Sequence, residues 1–313
     1  MWQAFSTTFL FSLSAVCAQR TTRRLGGVEA NFWRVWAAAL MLGLWAHSVG
    51  QGLSGQSLPV FFLSGIIGFG FGDVALYQAL PRIGSRLSIL LVHCVAAPFA
   101  ATTEWLWLGT PLTRGQILAA LTILAGVALA LAPSGHIKVS RGTFWAGVGF
   151  AVIGALGQGG GAVLSRKAYA VATAAGQHVD GMTAAYQRII GGVLVGTVFF
   201  AFAKWRSRYL ALDLPPTPGA SSRVWPWVLA NALAGPAVGV GMFQWALMLE
   251  GTGVVLPIVA LTPLIIIPFS RFVEGEQPTR RSLAGGFVAV SGVVALTFLN
   301  HPALLEKLGW MHR

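Results

Sequence analysis

Charged residues are scarce in this chain, and acidic residues are the scarcest. Of the 313 residues, 10% are charged, with 9 Asp or Glu against 21 Lys or Arg. Apolar residues make up 55% of the sequence, and the mean hydropathy is +0.71. A chain with so few polar residues cannot shield its apolar surface from water, so the composition predicts an integral membrane protein.

Cysteines and metal-binding motifs are also few. The two cysteines, Cys17 and Cys94, lie far apart, and the six histidines include no HExxH motif or histidine-rich cluster. The glycine-rich stretch 157–161 lacks a following Lys-Ser or Lys-Thr, which excludes a phosphate-binding loop. We therefore predict no metal site and no cofactor, and we exclude an ATP-driven pump.

Hydrophobic segments of membrane-spanning length recur along the chain. A window of about 20 residues predicts ten spans, at residues 2–19, 31–50, 59–80, 87–108, 115–133, 144–164, 183–203, 224–249, 254–273 and 282–299. The first segment has no positive residue ahead of its apolar stretch, which favours a retained helix over a cleaved signal peptide. The sequence thus predicts an all-α integral membrane protein with ten transmembrane helices.

The two halves of the chain repeat each other at a nearly constant spacing. The matching glycines are Gly84 and Gly251, Gly109 and Gly275, and Gly126 and Gly292, which are 167, 166 and 166 residues apart. Five spans per copy would insert the second copy upside down, because five is an odd number. We expect two inverted five-helix repeats, at 1–135 and 142–300, with a linker at 136–141 and a tail at 301–313.

The order of turns in each half resembles a known membrane unit. Each half has a short turn after its third span, then an apolar helix with proline, and arginine occurs early in the second and seventh spans, as Arg34 and Arg188. This pattern resembles the EamA unit of the drug/metabolite transporter superfamily over nearly all of residues 1–300. A Gly-Glu turn supplies Glu276 in the second half; the first half has Thr110 there and is expected to use Glu104 instead.

The resemblance implies a secondary transporter that alternates access around a central site between two five-helix halves. Members export amino acids and other metabolites, carry nucleotide sugars or flip lipid-linked precursors. We therefore predict export of small metabolites, foremost amino acids or related compounds, and no enzymatic activity. Two alternatives stay open: a lipid-linked precursor flippase, with Arg82 and Arg86 at the headgroup, and a membrane-embedded enzyme, for which Ser64 and His93 are available.

Ionisable groups inside the spans are the first candidates for substrate binding or coupling, because a charge in hydrocarbon needs a partner or water. Asp73 follows three alternate glycines in 68–72 and is a candidate proton or cation site; the alternative is an ion pair with Arg34. His93 is a candidate for titration near neutral pH or for donation to a substrate carboxylate, with packing as its alternative.

Three further charged residues are expected to be structural. Arg34 and Arg188 recur in both halves, which favours a scaffold role in which each holds a carboxylate of its own half or extends to the interface. Glu104 is flanked by tryptophans near the end of its span. Because tryptophan marks the headgroup region, we expect Glu104 to be exposed at the membrane interface.

Neutral polar side chains complete the expected cavity. An unpaired amide in hydrocarbon is costly, so each must contact a helix, water or a ligand. The amide candidates are Gln78, Gln158, Asn231 and Gln244. Tyr77 and Phe243 precede glutamines in the two halves and are expected to flank an apolar or aromatic substrate. Packing between helices is the alternative for all of them.

Basic residues are distributed unevenly between the two sides of the predicted helices. Fourteen Lys or Arg lie in connections after odd-numbered spans and five on the opposite side. The positive-inside rule places both termini outside, whereas the resemblance implies termini in the cytoplasm, so the orientation stays open. We assign the net charge of +12 to contact with membrane lipids and not with nucleic acid. We expect a multi-pass inner (plasma) membrane protein, monomer or homodimer, with a small-molecule substrate and protons as further partners.

Overall fold

The computed structural model describes residues 1–131, 140–209, 224–265 and 280–300, and within these ranges the chain is helical, without β-strands. The helices are α1 Trp2–Leu25, α2 Gly27–Ser48, α3 Leu58–Gly65, α4 Asp73–Leu108, α5 Arg114–Leu131, α6 Arg141–Ala174, α7 Gly181–Tyr209, α8 Trp225–Ala232, α9 Val238–Leu249, α10 Thr252–Val259 and α11 Arg280–Asn300. Two π-helical segments, Ile66–Gly72 and Leu233–Ala237, connect α3 to α4 and α8 to α9. The all-α prediction is confirmed for these residues.

Several of these helices are long and apolar enough to cross a bilayer. In the described ranges there are five such stretches: Leu58–Gly84, Leu87–Leu108, Arg141–Ala174, Gly181–Arg206 and Trp225–Leu249. Three shorter apolar helices, Arg114–Ala130, Thr252–Ile265 and Ala284–Leu299, coincide with the predicted fifth, ninth and tenth spans. Helices α1 and α2 coincide with the first two predicted spans but are not among the five. The protein is therefore a helical membrane protein.

The helices begin at matching positions in the two halves. Helix α3 begins at residue 58 and α8 at residue 225; each has eight residues and a proline in its first turn, where no backbone N–H is needed. The π-helical segments begin at 66 and 233. Both offsets are 167 residues, which is the spacing of Gly84 and Gly251.

Small residues allow packed helices to approach closely. Helix α2 packs on α7, α5 on α11, α4 on α6 and α1 on α9. Between α5 and α11, a Cβ added at Gly126 would collide with the backbone nitrogen of Ala289, and one at Gly285 with that of Ala130. In a bilayer no hydrophobic effect draws helices together, so close backbone contact of this kind holds them.

Helix α4 is divided at Gly84, whose φ of 75° and ψ of 164° are not helical. Glycine takes this positive φ without the steric penalty of a Cβ. The part of α4 before Gly84 continues α3 and the first π-helical segment, and together they form a first arm, Leu58–Gly84. The part after it forms a second arm, Leu87–Leu108. Both arms have membrane-spanning length, and they meet at the predicted turn between the third and fourth spans. Gly109, with a φ of 70°, ends the second arm.

Some sequence predictions lie outside the described residues. They include Glu276 with its Gly-Glu turn, residues 136–139 of the predicted linker, and the predicted tail at 301–313. Residues 210–223, between α7 and α8, and the side chain of Arg86 also lie outside them.

Candidate functional site

A cavity lies where the two halves meet. The space free of protein atoms in it is about 940 Å³, including its opening to solvent. Its polar lining consists of Ser14, Arg34, Asp73, Tyr77, His93, Gln158, Arg188 and Thr262. Aromatic rings of Phe11, Phe69 and Phe243 complete the wall. Seven residues that the sequence analysis names as site or charged residues therefore line one cavity: Arg34, Asp73, Tyr77, His93, Gln158, Arg188 and Phe243.

Arg34 and Asp73 form an ion pair at this cavity. One guanidinium nitrogen of Arg34 donates to Asp73 Oδ2, and the same nitrogen donates to Asn31 Oδ1 at 3.0 Å. The guanidinium also lies 4.8 Å from the ring centre of Tyr77. The alternative that the sequence left open for Asp73, a pair with Arg34, is the contact that the structure has.

The glycines before Asp73 accommodate close neighbours. A Cβ added at Gly72 would lie 3.2 Å from the Cα of Gly157 on α6, and one at Gly68 would lie 2.9 Å from Nη2 of Arg188. The π-helical turn that these residues form leaves backbone open to a neighbouring helix on one side and to a guanidinium on the other. The glycine pattern therefore lets α6 and the guanidinium of Arg188 approach the segment that leads to Asp73.

Arg188 differs from Arg34 in its partners. Its Nε donates to Ser64 Oγ at 2.8 Å, and its guanidinium lies 5.3 Å from the ring centre of Phe69. Ser64 in turn donates to the carbonyl of Gly161 at 2.6 Å. Among the described residues, no carboxylate forms an ion pair with Arg188. The expectation that each arginine holds a carboxylate of its own half is therefore met by Arg34 alone in this part of the chain.

His93 and Gln158 face the cavity from α4 and α6. The amide nitrogen of Gln158 lies 3.0 Å from Nδ1 of His93. With Nδ1 accepting this hydrogen bond, a neutral imidazole carries its proton on Nε2. The pair connects the second arm of α4 with α6, and both residues line the cavity.

Tyr77 and Asn231 connect the halves behind the cavity wall. Asn231 Nδ2 donates to Tyr77 Oη at 3.0 Å, and Ser14 Oγ donates to Asn231 Oδ1 at 2.7 Å. Asn231 is fully buried and supports Tyr77 and Ser14 without lining the cavity itself.

Two predicted site residues lie away from the cavity. Gln78 accepts a hydrogen bond from Arg82 at 2.9 Å, because one residue along a helix rotates the side chain by about 100° from Tyr77. Gln244 is fully buried, and neither of its amide atoms has a hydrogen-bond partner within the described ranges. Neither residue lines the central cavity.

Glu104 is buried, so its expected exposure at the interface is wrong. It is 2% exposed, whereas the neighbouring Trp105 and Trp107 are 56% and 53% exposed. The helix thus turns its tryptophans outward and its carboxylate inward.

Glu104 lies at a junction of several helices. Its carboxylate accepts from Arg166 Nε at 3.1 Å, Thr110 Oγ1 at 3.1 Å and the backbone N–H of Thr252 at 2.6 Å. Arg166 also donates to the carbonyl of Leu247 at 2.6 Å. This Glu104–Arg166 junction joins α4, α6, α9 and α10. Arg166 lies two residues beyond the predicted end of the sixth span at 164, so hydropathy gave no signal for it.

The described residues contain no group of three or more His, Cys, Asp or Glu side chains able to hold a metal ion. The chemistry that the cavity supports is binding through charge, hydrogen bonds and aromatic contact.

A helical membrane protein whose matching halves surround a charged cavity has the architecture of a membrane transporter. The chain belongs to the EamA-like transporter family, whose model matches residues 1–132 and 145–298. The resemblance identified from the sequence is thereby confirmed.

Similar proteins share part of the chain or the fold. The chain is 39% identical over 74 residues to a probable 4-amino-4-deoxy-L-arabinose-phosphoundecaprenol flippase subunit ArnE of Pseudomonas aeruginosa strain UCBPP-PA14, and 38% identical to that of strain LESB58. Each match covers 23% of this chain and 60% of the relative. One solved crystal structure, described only as that of a protein, has a TM-score of 0.70 at 16% identity, over 95% of this chain and 96% of the other. That likeness concerns the fold alone.

Proposed function

We propose that the protein is a secondary transporter that exports small metabolites, foremost amino acids or related compounds, by alternating access. The observation that carries this proposal is the central cavity, which places a carboxylate, two guanidiniums and an imidazole among aromatic rings inside a member of a transporter family. Such groups are costly in a bilayer and are typical of a path for a polar substrate.

The proposed architecture is ten transmembrane helices in two inverted repeats, at 1–135 and 142–300. The matching starts of α3 and α8 and of the two π-helical segments support it. In this arrangement the halves rock about the cavity. We further propose a multi-pass location in the inner membrane, as a monomer or homodimer, with no catalytic activity.

The Glu104–Arg166 junction fits the closed end of such a transporter. It lies where α6, α9 and α10 meet, about two turns along α6 from Gln158. Its hydrogen bonds cross between the proposed repeats, because Glu104 belongs to the first and Thr252 to the second. We propose that it opens when the protein faces the other side of the membrane.

Liposome efflux tests the proposed transport. Liposomes containing the purified protein are loaded with a mixed pool of amino acids and small metabolites, a pH gradient is imposed, and the released compounds are measured by mass spectrometry against empty liposomes. We expect selective release of a few compounds. Tyr77→Ala should reduce it, whereas Gln78→Ala, the adjacent change outside the cavity, should not. Failure to release any soluble compound contradicts metabolite export.

A lipid-linked precursor flippase is the second candidate. The partial similarity to probable flippase subunits favours it, although that similarity covers 23% of this chain. Arg82, the expected headgroup contact, donates to the carbonyl and side chain of Gln78 and lies 4.9 Å from the ring centre of Phe150. Movement of a fluorescent polyprenyl phosphate sugar between leaflets, without release of soluble compounds, would establish the flippase and exclude the exporter.

A further inference from the structure

The charges around the central cavity do not balance. The charged side chains of its lining are two guanidiniums, Arg34 and Arg188, and one carboxylate, Asp73. Asp73 is paired with Arg34, and its carboxylate interacts electrostatically with Arg188 without forming a hydrogen bond to it. The lining therefore carries one positive charge in excess.

Arg188 is held by neighbouring side chains although it forms no salt bridge among the described residues. Ser64 fixes its Nε, and Phe69 lies beneath its guanidinium. The glycines at 68 and 161 leave room for Nη2, since a Cβ at either would lie 2.9 or 3.0 Å from that atom. The residue is 4% exposed. A buried cation of this kind is costly within a membrane unless an anion approaches it.

The free donors of Arg188 have a definite geometry. Its Nε is engaged by Ser64, whereas Nη1 and Nη2 have no hydrogen-bond acceptor in the part of the chain that the structure describes. Neither nitrogen is among the fully buried polar atoms that lack a partner, and Arg188 lines the cavity. Two adjacent guanidinium nitrogens match the two oxygens of a carboxylate or phosphate.

We infer that the cavity recognises its ligand by an anionic group, a carboxylate or a phosphate, which pairs with Arg188. This inference rests on the proposed function and specifies its substrate class. Arg188 is then a binding residue as well as a scaffold residue. The aromatic side chains of Phe11, Tyr77 and Phe243 on the same lining suit an apolar or aromatic remainder of the ligand. The anionic group belongs either to a soluble metabolite or to a lipid headgroup.

Calorimetric titration of the purified protein in detergent tests the inference without requiring transport. The probes are phenylalanine, phenylalaninamide, inorganic phosphate and dioctanoyl phosphatidic acid. We expect at least one of the three probes that carry a carboxylate or phosphate group to bind, and we expect the amide, which lacks the carboxylate, not to bind. Binding of phosphatidic acid alone identifies a lipid source, and binding of phenylalanine or phosphate a soluble one. Absence of binding by all three of these probes, or equal binding of phenylalaninamide, would overturn the inference.

Variants identify the residue responsible. Arg188→Gln should weaken anion binding by about tenfold or more, because it removes a charged hydrogen-bond donor, and Arg188→Lys should weaken it less. Asp73→Asn, which raises the excess positive charge of the lining, should tighten it. Lys204→Gln removes the same charge from an exposed ion pair outside the cavity and should have no effect.

The variants also separate binding from folding and from transport. Melting temperature and gel filtration verify that Arg188→Gln is folded. If that variant does not fold, anion binding by Asp73→Asn tests the inference instead, because a purely structural role for Arg188 predicts no gain in anion affinity in Asp73→Asn. Unchanged or weaker anion binding by Asp73→Asn contradicts the inference. Anion binding that depends on Arg188, without any efflux from liposomes, would refute transport and support the anion site. Efflux of neutral compounds alone would support transport and refute the anion site.

Discussion

Arg34 and Arg188 occupy the same motif position in the two halves but have different partners. Recurrence in the sequence favoured a scaffold role for both, in which each holds a carboxylate of its own half or extends to the interface. The pair of Arg34 with Asp73 was predictable as an alternative, because both residues lie in one half on helices that pack together. Ser64 lies 124 residues before Arg188, and nothing local distinguishes it from other serines. That contact depends on how α3 packs against α7, which periodicity does not specify.

Asp73 allows a test of proton coupling at the level of one residue. Asp73→Asn removes the titrating carboxylate but retains an oxygen that accepts from Arg34. If Asp73 carries the coupling proton, the variant loses export driven by a pH gradient and keeps exchange of substrate across the liposome membrane. His93→Gln, the matched change at the cavity imidazole, should keep gradient-driven export. Undiminished gradient-driven export by Asp73→Asn would eliminate Asp73 as the coupling site.

Glu104 lies near the end of α4 and accepts a hydrogen bond from the first residue of α10, and we expect these contacts to stabilise the protein. Glu104→Gln removes its ion pair with Arg166 and weakens its contact with the Thr252 N–H at the positive end of α10. We expect the free energy of unfolding to fall by about 2 kcal/mol or more, because a largely buried ion pair loses one partner. Glu29→Gln breaks an exposed pair with Lys204 and should cost about 0.5 kcal/mol or less. Equal melting temperatures for the two variants would contradict a structural role for the junction.

At the level of elements, helix α6 and the first π-helical segment depend on glycine for their contact. A Cβ added at Gly157 would lie 2.5 Å from the Cα of Gly72, whereas one at Gly149 on the same helix would meet no atom within 4 Å. Gly157→Ala should therefore destabilise the protein by about 1–3 kcal/mol through overpacking. Gly149→Ala should leave stability unchanged or raise it by up to about 1 kcal/mol, because alanine favours a helix. Thermal unfolding in detergent compares them, and a lower melting temperature for Gly149→Ala than for Gly157→Ala would contradict this packing.

Hydropathy located the helices but not their full extent. The described part of each predicted span is largely helical. Helix α6, however, continues to Ala174, ten residues beyond the predicted end at 164. Ser165, Arg166 and Lys167 lower the local hydropathy, so a window ends the span there. The pairing that makes Arg166 tolerable inside the helix comes from Glu104, 62 residues away.

At the level of the whole molecule, the proposed ten-helix topology requires α1 and α2 to cross the membrane, although neither is among the five described stretches that combine the length and the hydropathy of a span. Arg24 and Gln51, both exposed, lie beyond opposite ends of α2. In a background of Cys17→Ala and Cys94→Ala, we expect a membrane-impermeant maleimide to label only one of Arg24→Cys and Gln51→Cys in intact cells, and both in lysed cells. Labelling of both in intact cells would contradict a membrane-crossing α2. The labelled position also settles which side holds the basic loops.

Gly84 and Gly251, the first matching pair, differ in backbone conformation. Gly84 has a φ of 75°, whereas Gly251 has a φ of −69° and a ψ of 160°. Any residue can adopt the second conformation, and a Cβ added at Gly251 would lie 3.4 Å from Glu104 Oε1, an ordinary contact. The present conformation of Gly251 therefore does not require glycine.

A transporter made of two inverted copies can reverse its facing direction when each copy adopts the shape of the other. Gly251 would then take the positive φ that Gly84 has now, which a side chain would oppose. We expect Gly251→Ala to fold and bind ligand as the unchanged protein does but to lose transport, measured by liposome efflux beside ligand titration; full transport would contradict it. Gly84 is thus needed for the present conformation, and Gly251 would be needed for the conformation that faces the other side of the membrane.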